Sequence, residues 1–145
     1  MNPTIEISFK TAQAYSAMCK PLCQELKLPQ TAFDILMFLA NNPDCTTARD
    51  IVEIRKIKAN LVSVNVDRLV QEGYLLRQPA PGDRRKCRLV CTEKAGPVVQ
   101  QGRELQETFF RRLARGLEPE DLAAFRRCLE GFRRNLSQMT QEDAQ

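Results

Sequence analysis

The chain has 145 residues, 43% hydrophobic and 28% charged, a balance that suits one soluble domain with a real core and excludes a disordered or fibrous chain. No run of about 18 apolar residues occurs, and the N-terminus lacks the basic-then-apolar layout of a secretory signal, so a cytoplasmic protein without a membrane span is expected. The net charge of +4 is unevenly placed: residues 55–94 carry 10 basic and 4 acidic side chains, against a net −2 before them and a net zero after. A polyanion would be met there, if anywhere, although a solvated basic face has the same signature.

Residues 5–26 read as a helix, with Tyr15, Met18, Leu22 and Leu26 at helical spacing and Pro21 as an awkward interior residue. Leu28-Pro29 breaks it. A second helix opens at Gln30 or Thr31, and its AFDILMFLA (residues 32–40) is apolar enough to be buried on most sides. Asn41-Asn42-Pro43 stops it. Cys45-Thr46 suits a very short strand. Thr47 is an N-cap for a third helix, with Asp50 in its first turn and Ile51, Val52 and Ile54 on its apolar side. Arg55-Lys56-Ile57 has the length of a helix-turn-helix turn, without the glycine often found there.

The fourth helix runs from Lys58 to Gln71. Val62, Val66 and Leu69 make one apolar stripe, and Lys58, Asn60, Ser63, Val64, Asp67 and Arg68 lie mostly off it. Gly73 suits a left-handed helix end. A hairpin follows: a strand YLLRQ, a tip PAPGDRRK and a return strand CRLVCT ending at Thr92. Two prolines at the tip keep it free of other strands. Residues 93–116 form a long helix capped by Thr92, with Val98, Leu105, Phe109 and Leu113 on one face. Gly116 ends it. Glu118-Pro119-Glu120-Asp121 starts the last helix. There Leu122, Phe125, Leu129, Phe132 and Leu136 repeat at 3 and 4, a narrow seam that asks for a partner helix. The tail after Ser137 is polar and expected to fray.

Enzyme chemistry finds little support. Without histidine there is no Ser–His or Cys–His pair, and neither a phosphate-binding glycine loop nor HExxH is present. The six cysteines include no CxxC, so neither a metal nor another cofactor is expected.

The order helix, helix, short strand, helix, helix, hairpin, two long helices resembles the MarR family of winged-helix transcriptional regulators. The most specific element is D-R-R-x-x-x-L-x-x-T, formed by Asp83, Arg84, Arg85, Leu89 and Thr92, which is similar to the family's wing signature. VDRLVQEGYL (residues 66–75) resembles its recognition-helix end, and PLCQELKLPQTAFDILMFLA (residues 21–40) its first helix junction. Asn65 stands where the family often has Leu, Cys91 where Leu or Val is usual, and the glycine after Thr92 is displaced to Gly96.

The resemblance implies a mainly α fold with a small β-wing. It implies one domain over residues 1–145, with 30–92 as the winged helix-turn-helix and 5–26 and 93–137 as dimerisation helices. The implied partners are double-stranded DNA and a second copy of the chain, with half-sites about 10 bp apart on a palindromic operator. Candidate DNA-binding residues are Lys58, Asn60, Ser63, Val64 and Arg68 of the recognition helix and Asp83, Arg84, Arg85, Lys86 and Arg88 of the wing. Asn60 suits bidentate pairing with adenine, and the wing arginines suit the minor groove or its phosphates. Asp83 is expected to brace the wing by pairing with Arg85; its plainer reading is a turn-forming aspartate.

Many members release DNA when a small aromatic or anionic effector enters a pocket beside the dimer helices. Tyr15, Met18, Phe33, Met37, Phe109 and Phe110 are candidates to line one, although each taken singly is more often core. Thiol sensing is an alternative. Cys19 and Cys23 share a helix face at a spacing poor for a disulfide, whereas Cys45 approaches Cys87 or Cys91 if the short strand pairs with the return strand. A winged-helix module that binds protein rather than DNA is the reading from another class.

Overall fold

The computed structural model describes residues 1–143, apart from the side chains of Arg84, Glu142 and Asp143. Six helices and one antiparallel hairpin follow in the order α1 (Pro3–Leu26), α2 (Gln30–Asn41), α3 (Ala48–Arg55), α4 (Ala59–Gln71), β1 (Leu75–Ala80), β2 (Asp83–Cys91), α5 (Ala95–Leu113) and α6 (Pro119–Asp143). This is the mainly α architecture with a small β-wing expected from the sequence. The chain divides into two compact units, residues 1–109 and the residues from Phe110 on.

In the first unit α1 starts on Asn2, whose side chain accepts from the Thr4 N–H at 2.8 Å, with Pro3 at the first helical position. It ends at Lys27 in the left-handed conformation. Pro21 does not break it, because this residue faces solvent and the carbonyl it leaves without a donor belongs to Ala17, which is exposed as well. The buried centre of α1 is Cys19 and Cys23, with Tyr15, Leu22 and Leu26 partly buried around them. The two cysteines thus act as small hydrophobes at the middle of the packing face.

Helix α2 is the heart of this unit. Ala32, Phe33 and every residue from Ile35 to Leu39 are buried, and only Asp34 interrupts them. Ile51 of α3, Val62 and Leu69 of α4, Leu75 of β1 and Val98 of α5 belong to the same core. Fully burying one such side chain is worth roughly 1.5–3 kcal/mol. Gly102 lets α5 come close to α2: a Cβ added there would lie 2.3 Å from the Met37 sulfur and 3.1 Å from Phe33 Cζ. Arg103 then donates to the Asn41 side chain and the Ala40 carbonyl, and Gln106 donates to the Tyr15 hydroxyl at 3.1 Å.

Short-range chemistry sets the helix-turn-helix. Thr47 and Asp50 form a reciprocal capping box at the start of α3, each side chain accepting from the other's backbone N–H at 3.1 Å. The turn falls at 56–58, one residue later than the sequence suggests, and Lys56 takes the left-handed conformation usually left to glycine. Gly73 closes α4 with φ of 85°.

Several local expectations are corrected. The described residues hold a two-stranded sheet only; Cys45-Thr46 is not a strand, and a single bond from the Leu89 N–H to the Thr46 carbonyl at 2.7 Å joins it to β2. The hairpin strands run further than expected, with Pro79 opposite Cys87 and only Pro81 and Gly82 left at the tip. Thr92 does not cap α5. Its hydroxyl donates to the Gly73 carbonyl at 2.6 Å and its N–H to the Tyr74 carbonyl, so it pins the end of the wing to the end of α4.

In the second unit Gly116, with φ of 82°, turns the chain, and α6 continues past Ser137 to Asp143 where fraying was expected. The seam of α6 is uncovered: Phe125, Leu129, Phe132 and Leu136 are 45–59% exposed.

Gly102→Val is expected to lower the unfolding free energy by about 1–3 kcal/mol through overpacking against Met37 and Phe33. Gly96→Ala, in open space on the same helix, should be neutral or stabilising. Urea denaturation of the two variants checks both.

Candidate nucleic-acid interface

Helix α4 buries Val62, Asn65, Val66 and Leu69. Asn65 is accommodated because its side-chain amide donates to the Leu61 carbonyl one turn back at 2.8 Å, so the polar group carries its own partner into the interface. At about 100° per residue the opposite face presents Asn60, Val64, Asp67 and Gln71. Val64 is 65% and Leu61 45% exposed, two apolar side chains set in a polar surface. Lys58 holds the N-cap position without a side-chain cap bond, which leaves its ammonium to solvent or a ligand.

Two flanks of α4 are committed elsewhere. On the wing side Asp67 pairs with Arg77 of β1. On the other side Arg68 donates to the Lys27 carbonyl at 2.9 Å and pairs with Glu72 at 3.2 Å. Arg68 is thus turned towards the end of α1, away from the outward face where the sequence placed it. Arg77 and Leu61 were not singled out from the sequence. Their helical or strand spacing carried no signal, and only packing shows that one holds the wing against α4 and the other stands free.

The wing carries its charge in an irregular stretch. Pro79 pairs with Cys87 and Ala80 with Asp83, so Arg84, Arg85 and Lys86 have no partner residues on β1. This bulge releases the basic residues from the flat ladder. Asp83 braces it differently from expectation: its carboxylate accepts the Arg85 backbone N–H at 2.9 Å, which leaves the Arg85 guanidinium exposed for other work. Lys86 and Arg88 are exposed as well, and the side chain of Arg84 lies outside the described ones. Between α3, α4 and β2 runs a cleft of about 430 Å³, floored by Val62, Val66 and Leu89 and rimmed by Arg49, Arg77 and Cys87.

The residues proposed for an effector pocket separate into two groups. Phe33 and Met37 are core, 0% and 2% exposed. Tyr15 stacks edge-on against Phe109 at 5.4 Å between ring centres. Tyr15, Asp34 and Arg55 together border two clefts. One, of about 260 Å³, reaches Met37 and Gln106; the other, of about 590 Å³, reaches Phe109 and Gln30. Met18 lines neither, and Phe110 belongs to the second unit. Burial raises the Asp34 carboxyl above its usual range, and Arg55 at 3.5 Å and the Gln30 side chain partly counter it. Burial also pushes the Tyr15 hydroxyl up to about 12, so it stays a phenol at physiological pH.

All six cysteines are free thiols. Burial raises Cys19, raises Cys23 to about 11, and raises Cys91 with partial opposition from Arg103. Cys45 is half-buried and Cys87 exposed. The Leu89–Thr46 bond brings the Cys45 loop beside β2, with Cys87 and Cys91 on either side of the contact. Among the described residues no cluster of side chains suited to a metal ion occurs, and no helix is long and apolar enough to cross a membrane.

Residues 26–86 match the model of the MarR family. Comparison with curated protein sequences finds no match. Among solved structures, the transcriptional regulator SlyA superposes with a TM-score of 0.81 at 21% identity, covering 95% of this chain and 96% of that one. A MarR-family transcriptional regulator from Listeria monocytogenes, complexed with a 26mer DNA, superposes with a TM-score of 0.84 at 17% identity, covering 95% and 91%. A MarR transcriptional regulator from Methanosarcina mazei Go1 gives 0.76 at 21% identity, covering 94% and 95%. The chain therefore has the winged-helix fold of MarR-family transcriptional regulators, as the wing signature implied.

Iodoacetamide at neutral pH is expected to modify Cys87 and Cys128 first. Both are exposed, whereas Cys23 is buried and its thiol is raised to about 11, which holds down its thiolate. Mass mapping after brief labelling checks the order; equal labelling of Cys23 in the folded protein would contradict the packing described.

Proposed function

We propose that this chain, with MarR-family sequence over residues 26–86 and the family's winged-helix fold throughout, is a sequence-specific DNA-binding regulator of transcription that works as a cytoplasmic homodimer. The observation that carries the reading is the pairing of an outward face on α4, centred on Asn60 and Val64, with a basic bulge on the wing beside it. Asn60 suits a bidentate contact with adenine, Ser63 a base edge or a phosphate, and Val64 a thymine methyl. Lys58, Arg85, Lys86 and Arg88 supply phosphate or minor-groove contacts, and Arg84 joins them from its place in the bulge. Asp83 contributes by holding the bulge in shape. Lys58 and Arg85 thus set register, and the side chains of the helix face read sequence.

A second copy follows from the uncovered apolar side chains. Ile5, Ile7 and Phe9 of α1 are 51–67% exposed, and Phe125, Phe132 and Leu136 of α6 are 49–59% exposed. So large an apolar display is a mark of an interface. A two-fold dimer would offer two recognition helices to successive major grooves of a palindromic operator. The structure of the Listeria monocytogenes relative, complexed with a 26mer DNA, supports the choice of duplex as partner. We assign repression as the outcome of such binding, with release by a small aromatic or anionic molecule in the clefts at Tyr15, Asp34 and Arg55. Thiol sensing through Cys45, Cys87 and Cys91 is the second reading, favoured by the placement of all three around one strand contact.

Arg84→Ala with Arg85→Ala should weaken binding to every duplex and reduce the steepness of the log affinity against log salt plot by about 2. Asn60→Ala should cost about 1–3 kcal/mol on the preferred duplex and little on a scrambled one. Fluorescence anisotropy across salt concentrations reads both, and parental affinity for each variant removes the assignment. Phe125→Asp with Phe132→Asp should give a monomer by analytical ultracentrifugation.

A further inference from the structure

A cleft of about 610 Å³ opens where the C-terminal half of α1, the start of α2 and the flank of α4 meet, and no DNA contact or effector cleft described above uses its cations. Its floor includes Cys23 and Leu28, 7% and 4% exposed. Its rim carries Lys20, Lys27 and Arg68, and none of its lining side chains is acidic. The volume lies in the range of small-molecule sites, which join an apolar wall to a few converging polar groups. Among the described residues Arg68 is the one rim cation with a carboxylate partner, Glu72 at 3.2 Å. Its other bond goes to the Lys27 carbonyl. Both contacts are half-exposed, and an anion can replace them at little cost. Lys27 is held by its left-handed backbone, which fixes where its side chain leaves the chain. The polar side chains of Ser16 and Gln30 complete the wall and also border the neighbouring cleft at Tyr15 and Asp34.

We propose that this cleft binds a small amphipathic organic anion, its phosphate or carboxylate head held by Lys20, Lys27 and Arg68 and its short apolar body lying on Cys23 and Leu28. Three cations converge here on a wall that carries no acid, whereas Asp34 itself lines both clefts at Tyr15 and Arg55, so a charged head is held more strongly here. A guanidinium serves either head in bidentate fashion, and the ammonium groups act as point charges. Arg68 lies on the same helix as Asn60 and Val64. A ligand that draws it from the Lys27 carbonyl loosens a tie between α1 and α4, and this regulatory consequence, unlike the binding itself, rests on the DNA-binding reading.

The test is a titration of the isotope-labelled full chain with hexyl phosphate and hexanoate, followed by amide chemical shifts. Saturable shifts confined to residues 16–30 and the Arg68 neighbourhood are expected for at least one of them, and which head binds more tightly assigns it. Lys20→Gln, an exposed change that leaves the core untouched, and Arg68→Gln should together weaken that binding at least tenfold. Absence of shifts in this region for both probes overturns the proposal, as does unchanged affinity in the double variant. Inorganic phosphate binding as tightly as hexyl phosphate overturns the apolar half of it, and hexanol binding as tightly overturns the ionic half. Duplex affinity without any probe is measured in parallel. Its absence in the parent would sink the DNA-binding reading while the shift data still decide the cleft.

Discussion

Everything in the first unit rests on α2 being wrapped on nearly all sides. A helix of twelve residues with one charged side chain in its middle cannot be stable alone in water. It becomes the organising element because α1, α4 and α5 each supply apolar side chains to its surface, and α3 and the wing add to the same core. The one carboxylate, Asp34, is half desolvated and leans on Arg55 at the end of α3. That pairing links the most buried helix to the residue just before the helix-turn-helix turn. The close approach at Gly102 completes the enclosure, since any side chain there would push α5 away from Met37.

From this anchor the outward surface follows by exclusion. Helix α4 spends Val62, Asn65, Val66 and Leu69 on the core, Asp67 on the wing and Arg68 on the end of α1. What remains is a short outward row with Asn60 and Val64 at its centre. The wing is joined to the same helix by the Arg77–Asp67 pair and by Thr92 on Gly73, so the basic bulge and the outward face of α4 are held as one body. The Arg85 side chain gains its exposure at the register slip between Pro79 and Ala80, where proline has no N–H to give to a ladder.

The cysteines show how the same residue type divides by environment. Cys19 and Cys23 fill the α1–α2 contact, and burial keeps their protons on. Cys87 stands at the rim of the cleft between α4 and the wing, open to solvent. Any oxidative chemistry of the folded chain would begin at the exposed thiols, because thiolate and access are both needed.

The amino-acid order by itself determined the helices, the N-cap at Thr47, the left-handed stop at Gly73, the wing signature and the segment that carries the positive charge. These depend on backbone chemistry and on periodicity within a few residues, which is information a linear string holds. It also located the uncovered seam of α6, because heptad spacing shows which side chains want a partner. Only the tertiary structure decided how polar groups were spent. Arg68 and Asp67 look equally available along α4, yet one meets a carbonyl forty-one residues earlier in the chain and the other an arginine on β1. Thr92 reads as a helix cap until its hydroxyl is seen on Gly73, and Asp83 reads as an ion-pair partner until the Arg85 N–H is seen in its place. A polar side chain takes whichever partner the packed core brings within about 3 Å, and that depends on apolar contacts far away in sequence.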